Sequence, residues 1–280
     1  MKILVMGARG MLGTDFVRAA SHWNHDVVGL DLPELDITDA EAVWRACVDH
    51  RPEVVVNCAA YTDVDGAQDD LETATKVNVD GARVVALGAA EIGASVLYPS
   101  TDYVFDGGKG APYVESDPPR ALSVYGQTKA AGEAETAAAN QRYFIVRTSW
   151  LFGTAGRNFV DTMLALGRDQ GDVVVVRDQV GCPTYTAHLA DALVRLIGTT
   201  AFGIHHIAGG GECSWYEFAQ EIFRQSALEV RMMSMTTAEL SRPAPRPAYS
   251  VLATERNEAI HLPDWQEGLA SYLAERAIAT

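Results

Sequence analysis

The chain has 280 residues, 48% of them hydrophobic and 21% charged, with a net charge of −15 and an isoelectric point near 4.8. That length allows one large domain, or a nucleotide-binding domain with a smaller partner, and the second is expected. The acidic balance argues against a general binder of nucleic acid or anionic membrane, since both need clustered Lys and Arg. No apolar run reaches the roughly 18 residues that cross a bilayer. Met1 to Gly7 holds one lysine and too short an apolar run for a secretory signal, so a cytoplasmic location is expected. Cys47, Cys58, Cys182 and Cys213 lie far apart without a C-x-x-C, which fits reduced thiols better than a disulfide framework or a zinc site.

In chain order, Lys2 to Met6 reads as a strand buried on both faces that runs into Gly7-Ala8-Arg9-Gly10-Met11-Leu12-Gly13 and a helical pattern. Strand, glycine turn and helix form a dinucleotide fingerprint, because glycine lets the backbone approach a pyrophosphate at a helix N-terminus. The competing reading is a purely structural turn. Asp26 to Leu30 is a second strand ending at Asp31, whose carboxylate suits the adenosine ribose hydroxyls of NAD. Arg9 points the other way, toward a 2'-phosphate, so NADPH and NADH both stay open. Asp36 and Ile37 offer an adenine-side contact, and Thr38 or Asp39 an N-cap. After Pro52, a third strand over Glu53 to Asn57 opens into Cys58-Ala59-Ala60-Tyr61-Thr62, whose small residues let a cofactor lie against the backbone. A long helix is expected from Asp70 to Ile92.

Ser95 to Pro99 is a fourth strand delivering Ser100-Thr101-Asp102-Tyr103-Val104-Phe105 at the end where doubly wound sheets bind ligands. A Thr101 hydroxyl there can donate to a substrate carbonyl, with Asp102 and Tyr103 near polyhydroxy groups; alternatively Thr101 and Asp102 only cap a turn. Tyr143 to Arg147 is a fifth strand ending in Thr148-Ser149-Trp150. Beyond it come a helix (Asn158 to Leu166), a strand (Val173 to Val176), a loop stiffened by Pro183, a capping box at Ser214, a proline-rich turn (Arg242 to Pro247) and a terminal helix. His205 and His206 are adjacent strand residues facing opposite ways, which favours structural roles over a metal.

Tyr125-Gly126-Gln127-Thr128-Lys129 is the only Tyr-x-x-x-Lys in the chain. On a helix, residues four apart share a face, so an ammonium stands beside a phenol. A nearby positive charge favours the phenolate and lowers a pKa that starts at about 10, giving a proton donor near neutral pH. An exposed surface pair is the bland alternative, and the glycine loop and Thr101 argue against it.

The assembled motifs resemble the dTDP-4-dehydrorhamnose reductase family of extended short-chain dehydrogenases/reductases over nearly the whole chain. They are Gly7-x-x-Gly10-x-x-Gly13, Ser100 to Phe105, Tyr125 to Lys129, Arg147-Thr148-Ser149-Trp150, Asp178-Gln179-x-Gly181-x-Pro183-Thr184, Trp215-Tyr216 and Arg246-Pro247-x-x-Ser250-x-Leu252. The resemblance implies an α/β fold: a Rossmann-type doubly wound parallel sheet with a smaller C-terminal α/β substrate domain. Residues 1–150 would hold the dinucleotide, rejoined by segments near 172–198, and residues 151–280 mainly the substrate. It implies reduction of the C4 ketone of dTDP-4-dehydro-L-rhamnose by NADPH or NADH. Tyr125 would be the acid, Thr101 its partner on the oxygen, and Lys129 the group that tunes Tyr125 and binds the nicotinamide ribose. Asp102, Tyr103 and Trp150 would line the sugar, Trp150 through a flat face, and Arg246 would contact diphosphate or nucleotide. Some members of the family hold magnesium through carboxylates at a dimer interface; Asp15 matches the first acidic position, but Ala187-His188-Leu189 offers no glutamate. No required metal is expected, and monomer and homodimer both stay open. A related deoxysugar nucleotide reductase is the alternative enzyme. A non-catalytic regulatory subunit of the methionine adenosyltransferase type is the alternative of another class.

Overall fold

A computed structural model describes residues 1–169 and 171–278. The first five strands are β1 (Lys2–Met6), β2 (Asp26–Leu30), β3 (Val54–Asn57), β4 (Ser95–Thr101) and β5 (Tyr143–Thr148). Shorter ones follow: β6 (Leu151–Phe152), β7 (Asp172–Val176), β8 (Val180–Gly181), β9 (Thr184–Tyr185), β10 (Gly203–His206), β11 (Cys213–Ser214) and β12 (Arg231–Met235). The helices are α1 (Met11–His22), α2 (Ala40–His50), α3 (Gly66–Asp69), α4 (Leu71–Thr75), α5 (Ala82–Glu91), α6 (Val124–Ala139), α7 (Phe159–Asp169), α8 (Thr186–Ile197), α9 (Trp215–Gln225), α10 (Thr237–Leu240) and α11 (Trp265–Ile278).

Six strands form one parallel sheet in the order β2-β1-β3-β4-β5-β10, with Ile3 opposite Val54 and Thr101 opposite Thr148. All four residues of β3 are buried, as a valine run covered on both faces requires. On one face α1 and α8 share a core with Phe16, Leu97, Phe144 and Leu193. On the other, α2 and α5 close over Leu4, Val55, Val85 and Val96, and α6 packs beside α5. A second core gathers Phe152, Val160, Leu164, Phe218, Ile222, Leu269 and Tyr272. Beside it β7 pairs with β12, away from the main sheet, whereas α8 and β10 return to that sheet.

The caps follow the local chemistry. Asp39 accepts from the Glu41 and Ala42 amides, Ser123 from Gly126, and Ser214 closes a reciprocal box with Glu217. Two elements differ from expectation. Strand β4 continues to Thr101, two residues beyond Pro99, because Ser100 and Thr101 find partners in Arg147 and Thr148. The helix expected over residues 70–92 is instead α4, a π-helical turn (Lys76–Gly81) and α5. That turn puts the Asn78 carbonyl 3.2 Å from the Tyr98 hydroxyl, and a Cβ on Gly132 would lie 2.2 Å from it.

Candidate active site

The strand order reverses between β1 and β3, and their carboxyl ends open a crevice there. Gly7 has φ +77°, and a Cβ on it would sit 2.4 Å from the Ala59 nitrogen, so only glycine lets the β1 exit lie flat against the β3 exit. A Cβ on Gly13 would lie 2.1 Å from the Gly7 carbonyl, which fixes how closely α1 approaches its own loop. Helix α1 begins at Met11 after Gly10 with no side-chain cap, so its first amides are available to an anion. Ala59, Ala60 and Tyr61 are half-buried along the same crevice. These residues fit a dinucleotide. Leu12 and Ile37 turn their side chains into the two sheet cores, so only their backbone can reach a cofactor.

Asp31 and Arg9 are tied together. Asp31 accepts from the Arg9 amide at 2.7 Å and from Leu32 at 2.8 Å. The Arg9 guanidinium reaches the Leu32 carbonyl at 2.8 Å and pairs with Glu34 at 2.5 Å, both side chains exposed. Asp36 is exposed and accepts from the Thr38 amide.

Thr101, Tyr125 and Lys129 converge at the end of β4 and the start of α6. Thr101 and Lys129 are buried, and Tyr125 is half-buried and stands edge-on to Tyr103 at 6.0 Å between ring centroids. The tuning expected of Lys129 is not what the geometry gives. Its Nζ donates to the Pro99 carbonyl at 2.8 Å and lies 3.8 Å from the Tyr98 ring centroid. Burial pushes the Tyr125 phenol up to about 12, against a smaller opposing hydrogen bond from Thr101. Burial also brings Lys129 down to about 7, with Glu133 pulling it back. Spacing on α6 does put phenol and amine on one face, but the flexible lysine stem carries its charge to the β4 backbone.

Two residues that the motifs did not single out as site residues support this arrangement. Asn78 exchanges hydrogen bonds with the Tyr61 backbone (2.9 and 3.1 Å) and donates to Thr128 at 3.1 Å, fastening the β3 exit to α6. Glu133, one turn beyond Lys129, accepts from Ser100 at 2.5 Å and from Arg147 at 2.7 Å in a pair whose side chains are 5% and 2% exposed. The Tyr125, Lys129, Glu133 stripe continues a period of four that could have revealed it.

The substrate-side expectations fare differently. Tyr103 is half-buried beside Tyr125. Asp102 is 2% exposed, and its oxygens accept from Thr101 at 3.1 Å, Ser149 at 3.2 Å and Ser250 at 2.5 Å. Burial raises its pKa to about 6 despite these hydroxyls. Its carboxylate therefore braces Thr101 from behind rather than lying open to a sugar. Trp150 takes φ +49° and stacks on Trp215 at 3.6 Å, 6° from parallel. Gly181 approaches the same indole so closely that a Cβ would lie 2.6–2.8 Å from three of its atoms. Trp215 thus takes one face of the Trp150 ring and the Gly181 backbone crowds its indole nitrogen edge, while the residue stays half-buried. Arg246 meets Asp65, with both terminal nitrogens at 3.0 Å.

Asp15, the position matched to the family's first acidic ligand, is engaged within the chain. It is 2% exposed, accepts from Thr186 at 2.5 Å and faces Arg18 at 3.7 Å, while Glu275 is held by Arg18 and Tyr185. An arginine already sits between the two carboxylates. Among the described residues, no three His, Cys, Asp or Glu side chains converge on a metal position.

A parallel doubly wound sheet with a glycine loop at its switch point, and a Tyr-x-x-x-Lys helix beside a strand-end threonine, defines an extended short-chain dehydrogenase/reductase. The family model for the RmlD substrate binding domain matches residues 1–278. A dTDP-4-dehydrorhamnose reductase of Streptomyces griseus is 44% identical over 92% of this chain and 88% of its own. A probable dTDP-4,6-dihydroxy-2-methyloxan-3-one 4-ketoreductase of Streptomyces antibioticus is 41% identical over 96% and 93%. The crystal structure of a dTDP-4-dehydrorhamnose reductase from Bacillus anthracis in complex with NADP superposes with a TM-score of 0.96 at 38% identity, covering 98% of this chain and 99% of that one. The chain belongs to the RmlD family of dTDP-4-dehydrorhamnose reductases, and is an NAD(P)H-dependent oxidoreductase. Among the described residues no helix is long and apolar enough to cross a membrane.

Proposed function

We propose that this protein reduces the C4 ketone of dTDP-4-dehydro-L-rhamnose to dTDP-L-rhamnose, with Tyr125 as proton donor. The observation that carries the reading is the convergence of Thr101 and Tyr125 at the carboxyl end of β4, with Lys129 anchored below. The bound nicotinamide supplies a hydride to the ketone carbon. Negative charge then grows on the ketone oxygen, where the Tyr125 O–H gives up its proton and the single Thr101 O–H, held by Asp102 before substrate arrives, turns to donate a hydrogen bond. A phenol raised to about 12 is fully protonated at neutral pH, and a developing alkoxide is a stronger base, so the transfer runs downhill in the reducing direction. Asp102 accepts from Thr101 at 3.1 Å and releases that O–H when the ketone oxygen takes it. Lys129 has its Nζ anchored on Pro99 and takes the nicotinamide ribose with its remaining donors.

Residues 1–150 together with α8 and β10 hold the dinucleotide in this reading, and the rest of 151–280 holds the sugar nucleotide. Both NADPH and NADH are accepted, and Glu34 weakens the hold on a 2'-phosphate by occupying Arg9. The relative named a probable dTDP-4,6-dihydroxy-2-methyloxan-3-one 4-ketoreductase favours a second reading, in which a different 4-keto deoxysugar nucleotide is the substrate. A panel of 4-keto nucleotide sugars with both cofactors separates the two. In the same assay Tyr125→Phe should lose about a hundredfold or more in kcat while retaining cofactor affinity. An unimpaired variant removes Tyr125 from the role of acid.

A further inference from the structure

Asp65 lies on the loop that leaves β3, just before α3, and collects donors from a segment some 180 residues away. It accepts from Arg246 Nη1 and Nη2 at 3.0 Å each, on separate oxygens, from Arg242 Nη1 at 2.9 Å, and from the Ala244 amide at 3.1 Å. Arg246 Nη1 also donates to the Ala244 carbonyl at 2.8 Å. Burial works against ionisation of Asp65, but the hydrogen bonds from Arg246, Arg242 and Ala244 outweigh it and hold the carboxyl below its usual range. Arg246 touches Tyr103 as well, and Tyr103 stands edge-on to Tyr125. A line of contacts thus runs from Asp65 to the proton donor.

Charge gives this clasp a purpose. Two guanidinium groups against one carboxylate leave one positive charge, in a protein of net charge −15 and in a loop region that also carries Asp63, Asp69, Asp70 and Glu72. A nucleoside diphosphate approaching such a loop is repelled unless arginines meet it. Arginines left free would find the nearby carboxylates in many geometries, whereas a bidentate pair sets one.

We propose that Asp65 is a positioning residue for the nucleotide sugar, presetting Arg246 and Arg242 as a cationic pair for its diphosphate. The proposal rests on the nucleotide-sugar reading of the site. It also links the two halves of the reaction, since Asp65 lies four residues after Tyr61 on the cofactor crevice and holds the arm that meets the sugar nucleotide.

The test is steady-state kinetics at saturating cofactor for the wild type, Asp65→Asn, Arg246→Gln and the double variant, with cofactor affinity read by nicotinamide fluorescence. Asp65→Asn should raise KM for the nucleotide sugar about tenfold or more, leave kcat within about twofold and leave cofactor affinity unchanged. In the Arg246→Gln background it should add clearly less than that, because most of its effect runs through that arginine and only the share held on Arg242 remains. An unchanged KM, or a full additional rise in the Arg246→Gln background, overturns the proposal. If the wild type turns over no 4-keto sugar, the reductase reading fails instead, and calorimetric binding of thymidine diphosphate to the same variants still reads the role of Asp65. Should Asp65→Asn fail to fold, Asp65→Glu keeps the charge and displaces it by one methylene; it should raise KM similarly, and an unchanged KM is again the overturning result.

Discussion

Replacing Glu133 by Gln should destabilise the protein severely, and the structure says by how much. The Glu133 carboxylate takes Arg147 Nε at 2.9 and 3.2 Å, Nη2 at 2.7 Å and the Ser100 hydroxyl at 2.5 Å. Arg147 is 1% exposed, and what remains to it is His206 at 3.4 Å and the Phe105 ring at 5.1 Å. Neither neutralises a guanidinium. Burial lowers the pKa of His206, so at neutral pH it brings no negative charge and no useful positive one. Stranding one partner of a buried pair costs about 3–5 kcal/mol. For a chain of 280 residues, an unfolding entropy of about 2.1 cal/mol/K per residue converts that loss into a melting temperature lower by about 5–8 °C. Differential scanning calorimetry checks it. A drop below about 2 °C refutes the account of Arg147 as a charge dependent on Glu133. The complementary variant is Glu133→Leu with Arg147→Met. It removes both charges, and should recover most of the loss, because the pair's own attraction hardly exceeds the cost of dehydrating it.

Three further outcomes follow from the same geometry. The Asp102 carboxyl is raised to about 6 in the folded chain, so the folded state holds its proton more tightly than the unfolded state between pH 4 and pH 6. Relative to Asp102→Asn, the wild type should therefore gain about 2 kcal/mol as pH falls through that window, measured by urea unfolding at pH 4 and pH 7; parallel curves would contradict it. Freeing Arg9 by Glu34→Gln should raise the kcat/KM ratio of NADPH to NADH about three- to tenfold, since an exposed pair is easily exchanged for a phosphate; an unchanged ratio refutes the role of Glu34. Gly132→Ala would drive a methyl to 2.2 Å from the Asn78 carbonyl and 2.5 Å from the Tyr98 hydroxyl, where the π-helical turn meets α6. It should cost about 1–3 kcal/mol and loosen the Tyr61 loop, seen as weaker cofactor binding; a variant as stable as the wild type would mean that the turn gives way freely.

How much of this was legible in the sequence depends on how far apart the interacting residues lie. The glycine loop, the caps at Asp39 and Ser214, and the six sheet strands rest on patterns within a few residues, and periodicity or side-chain chemistry reveals such patterns directly. The Tyr125 and Lys129 pairing was equally local. Where the ammonium goes was not, because four rotatable bonds let Lys129 choose the Pro99 carbonyl, thirty residues earlier, over the phenol beside it. The π-helical turn was hidden for the same reason: Asn78 is an ordinary helix residue until Thr128 and Tyr98 pull on it.

The substrate side shows the limit most sharply. Asp102 looked like a polar residue offered to a sugar, and its neighbours in sequence support that view. Ser250, 148 residues later, completes the hydroxyls that make it a buried brace, and Trp215, 65 residues later, takes one face of the Trp150 ring. A carboxylate or indole at a strand end is thus ambiguous until the arm that closes over it is known. In this chain the arm that closes over Asp102 also carries Arg246, four residues before Ser250. On the function proposed above, sugar recognition then falls to groups that stay half-exposed beside Tyr125, above all Tyr103, and to the arginines that Asp65 holds in place.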